Sequence, residues 1–193
     1  MRRRDEYGQL TGLCSPWLEH LRLRQVVRHI PQGSSILEVG CGRAGILRYH
    51  HHPRYVGLDI IPEVIEGDRS RYPQYEFYLL NAEEENMASL GKFDVALMLA
   101  VLEHFSRPEE VMRKVKSLIT AGGRIIVTTP HPRGKWMLEI GFHMGLCSPE
   151  SHGEHQPLLG REELHRLATQ CGLRVMVYKL FLFGVNQLLI LRG

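Results

Sequence analysis

Ile36-Leu-Glu-Val-Gly40-Cys-Gly42-Arg-Ala-Gly45-Ile-Leu47 is the stretch whose reading decides the fold. An apolar run enters a glycine-rich turn, and a helix-like segment leaves it. Gly40 and Gly42 let the backbone turn tightly and approach a ligand, and Gly45 lets the first helical turn pack against the strand. The backbone N–H groups of such a helix start face a polar or anionic ligand. The pattern predicts a strand over residues 34–40, a helix over residues 43–50 and a nucleotide-type cofactor at the turn between them.

Upstream, Ser15-Pro16 opens a helix with Trp17, Leu18, Leu21, Val26, Val27 and Ile30 as apolar positions, closed by Pro31-Gln-Gly33. Downstream, residues 54–59 read as a strand ending in Asp59, and Pro62 starts a short helix. Residues 76–80 form a third strand, followed by Asn81-Ala82-Glu83, and residues 93–99 a fourth. Ser106-Arg-Pro-Glu109 reads as a capping box. Its helix carries Val111, Val115, Leu118 and Ile119 on one face and stops at Gly122-Gly123, before a fifth strand over residues 124–129. Residues 130–160 show little regular pattern. An amphipathic helix follows (Leu164, Leu167, Ala168, Cys171), closed by Gly172, and then two strand-like runs over residues 173–178 and 185–191.

Strand and helix in alternation argue for an α/β fold with a mainly parallel sheet covered on both faces. The last two strands have no helix between them, so a C-terminal hairpin adds one antiparallel strand. In such open sheets the ligand lies beyond the carboxyl ends of the strands, near the switch point. The glycine loop, Asp59, residues 81–83 and residues 99–104 all fall at those ends.

The chain has 193 residues, 44% hydrophobic and 23% charged, which suits one globular domain. A domain of this size buries roughly 70% of its unfolded surface and needs no disulfide or metal staple. Cys14, Cys41, Cys147 and Cys171 form no CxxC, so a thiolate zinc site is not expected. No stretch approaches the ~20 apolar residues of a membrane span. No apolar signal core follows the charged start, which points to the cytoplasm. A net charge of +3 is too small to argue for a nucleic-acid partner. Arg22, Arg24 and Arg28 read as part of a solvated N-terminal face.

Asp59 lies nineteen residues after Gly40, where a carboxylate accepts hydrogen bonds from ribose hydroxyls. That spacing fits a dinucleotide as well as an adenosyl cofactor. The set Glu38-x-Gly40-Cys-Gly42, Asp59, Asn81-Ala82-Glu83 and Leu102-Glu103-His104 resembles the class I S-adenosylmethionine-dependent methyltransferases. Within that family it is most similar to the small-molecule branch that includes ubiquinone- and menaquinone-type enzymes. The resemblance runs from about residue 36 to the end. It implies a Rossmann-like doubly wound sheet of seven strands, mostly parallel, with one antiparallel strand from the C-terminal hairpin. It treats residues 1–193 as one methyltransferase domain, with an N-terminal helical segment over 1–33 and an irregular lid or acceptor-site insertion over 130–160.

The resemblance also implies roles. Gly40, Cys41 and Gly42 would pass beside the methionine portion of S-adenosyl-L-methionine, and beside that of the product S-adenosyl-L-homocysteine, with Gly45 also counted at the cofactor site. Glu38 would brace the loop or contact the cofactor amino group. Asp59 would hold the ribose, with Ile60 against the adenine. Ala82 would border the adenine edge, with polar contacts from Asn81 and Glu83; many relatives carry Asp where Asn81 stands. Leu99 and Ala100 would offer backbone carbonyls to the methionine ammonium. Such a sulfonium cation with a zwitterionic tail favours carbonyls and carboxylates around it.

Methyl transfer from a sulfonium needs alignment and exclusion of water, and a base only where the acceptor must lose a proton. His104 is the candidate base. Of the eleven histidines, His131, His143, His152 and His155 fall in the irregular segment. His152-Gly-Glu-His155 carries metal-ligating residue types, but a loop of this kind fixes no geometry and no metal site is assigned. In many relatives an N-terminal segment folds over the cofactor, and Tyr7 or Trp17 would serve there. The expected acceptor is a small or lipid-like molecule methylated on oxygen or carbon. The alternatives are an RNA methyltransferase of the same fold, an NAD-dependent oxidoreductase and a catalytically silent cofactor-binding protein. No oligomeric state follows from the sequence.

Overall fold

A computed structural model describes residues 15–49, 51–134 and 158–193. Strands β1 (Ile36–Val39), β2 (Tyr55–Asp59), β3 (Glu76–Leu79), β4 (Phe93–Leu99), β5 (Ile119–Pro130), β6 (Arg174–Phe181) and β7 (Asn186–Arg192) make one sheet. Their order is β3-β2-β1-β4-β5-β7-β6. β1 to β5 pair in parallel, and β7 runs antiparallel between β5 and β6. This is the expected doubly wound sheet with one reversed strand. Chain order reverses between β1 and β4, so the crevice at their carboxyl ends is the switch point.

Among the described residues four α-helices cover the sheet: α1 (Ser15–Val27), α2 (Pro62–Arg71), α3 (Pro108–Ser117) and α4 (Arg161–Gln170). Every residue of β1 is buried, as a strand covered on both faces requires. Alternation along β1 and β4 feeds two cores. Leu37, Val39, Ala96 and Met98 pack with Val111 and Val115 of α3 and Leu164 and Leu167 of α4. Ile36, Val95 and Leu97 pack with Leu23 and Val26 of α1 and Ile65 of α2. Val26 and Ile36 are completely buried, and truncation of either to Ala costs about 1–4 kcal/mol.

Four local expectations are corrected. The segment after the glycine loop is no α-helix but a single 3₁₀ turn, Gly45–Arg48. Gly42 and Ala44 both take left-handed φ (53° and 45°), so regular winding cannot begin before Gly45. Tyr49 is then held by His20, its hydroxyl 2.6 Å from Nδ1. Gly45 packs against α1 rather than β1. A Cβ there would meet Glu19 Oε1 and lie 2.9 Å from Leu23 Cδ1. The capping box at Ser106 does not form: Arg107 takes the N-cap position and Pro108 the first turn. Proline fixes φ and lacks an N–H, so the helix starts on it. Ile119, expected on the α3 face, begins β5 instead.

Residues 130 and 159 flank the irregular segment, and Gln187 ties them together. Its fully buried amide donates to Pro130 O at 3.0 Å and Leu159 O at 2.6 Å. Tyr7, His143, His152, His155 and the side chain of Trp17 lie outside the described residues.

Candidate cofactor and active site

The site is built where β1 gives way to the glycine loop. Gly40 and Cys41 both donate their N–H to Leu58 O, at 2.8 and 2.9 Å. Gly42 donates its own to Asp59 Oδ2 at 2.9 Å, while Asp59 Oδ1 accepts from Ile61 N–H at 3.1 Å. The loop is thus folded back over the end of β2. Gly40 has φ 68°, and a Cβ on it would stand 2.5 Å from Val101 Cγ2. Ile60, just past Asp59, is 66% exposed, an apolar surface beside a half-buried carboxylate.

Glu38 does not reach out of the sheet. Its carboxyl is buried in the layer under α1 and α2, where Tyr55 hydroxyl donates to Oε2 at 2.5 Å. Burial pushes its pKa to about 8, outweighing the Tyr55 hydrogen bond, with Asp68, Glu19 and Asp59 adding repulsion. Glu38 is therefore largely protonated at neutral pH. Burial also raises Asp68 to about 6 and pushes the Cys41 thiol up.

At the end of β4, Ala100 adopts φ 54° and donates its N–H to Thr128 O at 2.8 Å. A left-handed alanine costs roughly 1–2 kcal/mol and ends the ladder. Cys41, the next donor toward Leu99 O in the β1 register, has turned to Leu58 O. Pro130, opposite Ala100 O, has no N–H to give. The carbonyls of Leu99 and Ala100 are left at the crevice. His104 follows in the 3₁₀ turn Leu102–His104, exposed at the same edge, and donates its N–H to Val101 O at 3.0 Å.

The turn after β3 is almost closed on itself. Asn81 Oδ1 accepts Glu83 N–H at 3.0 Å, its carbonyl accepts from Glu84 and Glu85, and its own N–H goes to Glu85 Oε1 at 2.8 Å. Ala82 N–H has no acceptor among the described residues. Glu83, expected at the cofactor, spends Oε1 on Arg107 N–H at 2.7 Å and so caps α3 across the sheet.

Two residues escaped the sequence reading. Arg22 does not belong to the solvated face of Arg24 and Arg28. Its Nε is shielded from solvent and has no acceptor among the described residues. Burial lowers its pKa, against the attraction of Glu103 and Glu19. The signal was helical spacing, since Arg22 lies four residues before the buried Val26. Lys114 of α3 gives its ammonium to backbone carbonyls of the 81–85 turn. No spacing rule marks a partner that is main chain. His131 is buried beyond β5; its Nδ1 accepts Arg133 N–H at 3.1 Å, and burial lowers its pKa. Among the described residues no cluster of metal-ligating side chains forms, and no helix is long and apolar enough to cross a membrane.

The methyltransferase domain family matches residues 8–177. The chain belongs to the class I S-adenosylmethionine-dependent methyltransferases. The ubiquinone biosynthesis O-methyltransferase of Aeromonas salmonicida is 28% identical to this methyltransferase domain over 74% of the chain, which spans 64% of that relative. The tRNA (carboxymethyluridine(34)-5-O)-methyltransferase of Saccharomyces cerevisiae is 31% identical over 63% of the chain and 44% of its own length. A solved S-adenosylmethionine dependent methyltransferase from Mesorhizobium loti shares the fold, with a TM-score of 0.72 at 14% identity, covering 91% of this chain and 100% of its own. The family match sets aside the NAD-dependent alternative.

Proposed function

We propose that this methyltransferase domain moves a methyl group from S-adenosyl-L-methionine to oxygen or carbon of a small or lipid-like acceptor. The cofactor supplies a methyl carbon made electrophilic by its sulfonium. The observation that carries the reading is a set of polar groups without a partner among the described residues: Ala82 N–H and the Leu99 and Ala100 carbonyls just past the strand ends, and Arg22 Nε on α1. Their chemistry matches an adenine edge, an ammonium and a carboxylate.

In this reading Asp59 holds the ribose with the lone pairs that Gly42 and Ile61 leave over. Ile60 covers one adenine face. Asn81 keeps its carboxamide nitrogen for the base, since only its oxygen is used in the turn. Ala82 N–H donates to a ring nitrogen. The carbonyls of Leu99 and Ala100 take the ammonium, and Arg22 takes the carboxylate through Nε, which has no acceptor among the described residues. Glu38 supports the loop from beneath as a neutral acid. His104 takes a proton from an acceptor hydroxyl.

Small-molecule O-methylation is favoured by the Aeromonas relative. A tRNA acceptor is the second reading, favoured by the yeast relative. Titration calorimetry with S-adenosylhomocysteine tests the cofactor site. Labelled methyl transfer to hydroxylated aromatic lipids, with tRNA in parallel, separates the acceptors. Transfer to tRNA alone would overturn the first reading, and failure to bind S-adenosylhomocysteine would overturn both.

A further inference from the structure

Lys114 Nζ donates to Glu83 O at 2.7 Å, Ala82 O at 3.0 Å and Glu85 O at 3.1 Å. An ammonium has three protons, and all three are committed to one turn. The turn returns a contact to the same helix, through Glu83 Oε1 and Arg107 N–H at 2.7 Å. Helix α3 and residues 81–85 are therefore bolted together at two points. Within the turn, every N–H except that of Ala82 is already used.

We infer that Lys114 is a positioning residue for the cofactor: by gathering three carbonyls it aims the one unspent N–H, at Ala82, toward the adenine edge. The inference rests on the cofactor reading above. Lys114 itself faces backbone, so it contributes nothing to the reacting atoms. Its effect belongs in affinity and base selectivity and leaves turnover at saturation alone. An ammonium suits the task because three carbonyls converge on one point. A planar guanidinium spreads its donors in a fixed fork and cannot reproduce that geometry.

The same helix supplies its own control. Lys116 Nζ holds Cys171 O at 3.0 Å and Gly172 O at 2.8 Å, at the end of α4 and away from the 81–85 turn. Lys114→Met and Lys116→Met each remove an ammonium from a group of carbonyls. Only the first touches the turn beside the cofactor.

Calorimetry on the full chain with S-adenosylhomocysteine and with S-inosylhomocysteine, whose base carries N1–H where adenine N1 accepts, provides the test. Wild type should prefer the adenine ligand. Lys114→Met should weaken S-adenosylhomocysteine by about tenfold and narrow that preference. Its KM for S-adenosylmethionine should rise while kcat stays within about twofold. Lys114→Arg should recover part of the affinity. Lys116→Met should lower Tm similarly and leave both affinities unchanged. Lys114→Met binding both ligands like wild type overturns the inference. So does an equal loss in Lys116→Met, or a fall in kcat at constant KM. A wild type that binds neither ligand overturns the cofactor reading itself, and the inference falls with it.

Discussion

Gly42 gives its backbone N–H to Asp59 Oδ2 at 2.9 Å, so the carboxylate that ends β2 also fixes the loop that ends β1. One side chain does two jobs at the switch point. Two carboxylate oxygens offer roughly four acceptor positions, and the loop and Ile61 take two of them. The other two are the positions that the proposed ribose contact would use.

Asp59→Ala should therefore lose both the loop brace and the ribose contact. The expected cost in S-adenosylhomocysteine affinity is about 100-fold, or ~2.7 kcal/mol. Asp59→Asn should be intermediate, since a carboxamide turns one acceptor into a donor facing an N–H. Calorimetry measures the affinity, and thermal unfolding reports the smaller loss of stability. An unchanged affinity in Asp59→Ala would remove Asp59 from the site.

Glu38 gives the fold a pH signature. Its ordinary value is 4.5 and its buried value about 8. Between these limits the unfolded chain is ionised there while the folded chain holds the proton. Unfolding releases that proton, so Glu38 makes stability fall as pH rises through this window, with a limiting slope of about 1.4 kcal/mol per pH unit. Asp68, raised from 3.8 to about 6, acts with the same sign over its lower window. Glu38→Gln should flatten the decline above about pH 6 and leave the Asp68 part below it. Urea unfolding at a series of pH values, wild type against Glu38→Gln, decides the matter. Parallel curves would mean that Glu38 is ionised in the native state.

Gly40 needs its missing side chain. A Cβ would lie 2.5 Å from Val101 Cγ2 and 2.9 Å from Val101 Cβ, at a backbone φ of 68°. Gly40→Ala should destabilise the domain by ~2–3 kcal/mol, about half from overlap and the remainder from the left-handed backbone. Adding Val101→Ala removes the 2.5 Å overlap with Cγ2, keeps the 2.9 Å approach to Cβ and leaves the backbone cost. A double-mutant cycle on unfolding free energy should then show coupling of ~1 kcal/mol. Strict additivity of the two changes would count against the contact.

These residues also mark what the sequence could and could not disclose. β1 was legible because a parallel strand covered on both faces must be continuously apolar, and residues 36–39 are. The hairpin of β6 and β7 was legible because two strands followed each other without a helix. Residues 43–50 misled because Ala44 is a good helix former by composition, whereas its φ of 45° is imposed by the loop. The bond of Glu83 could not be foreseen, because its partner, Arg107 N–H, is main chain twenty-four residues away. Asp59 was placed correctly at the end of β2, but its bond to Gly42 depends on how two strand ends meet. The strand-end positions were thus readable, while the hydrogen bonds among their polar atoms required their partners.

Arg22 is the sharpest of the unforeseen residues, because a shielded guanidinium nitrogen without an acceptor calls for an anion. Arg22→Met should weaken S-adenosylhomocysteine by about tenfold to 100-fold. Methylthioadenosine has the same nucleoside and no amino-acid tail, so its affinity should be unchanged. An equal loss for both ligands would assign Arg22 to packing of α1 instead.

His104 stands exposed in the turn after β4, close in sequence to the two carbonyls at the crevice. If it accepts the acceptor's proton, His104→Ala should lower kcat by about 100-fold and leave S-adenosylhomocysteine affinity intact. The acidic limb of the kcat profile should disappear with it, since a protonated imidazole cannot serve as a base. His104→Gln keeps a hydrogen-bonding side chain but has no titration, so it separates holding the acceptor from deprotonating it. A profile that keeps its acidic limb in both variants would show that the proton leaves by another route, and that alignment against the methyl group is the domain's main contribution.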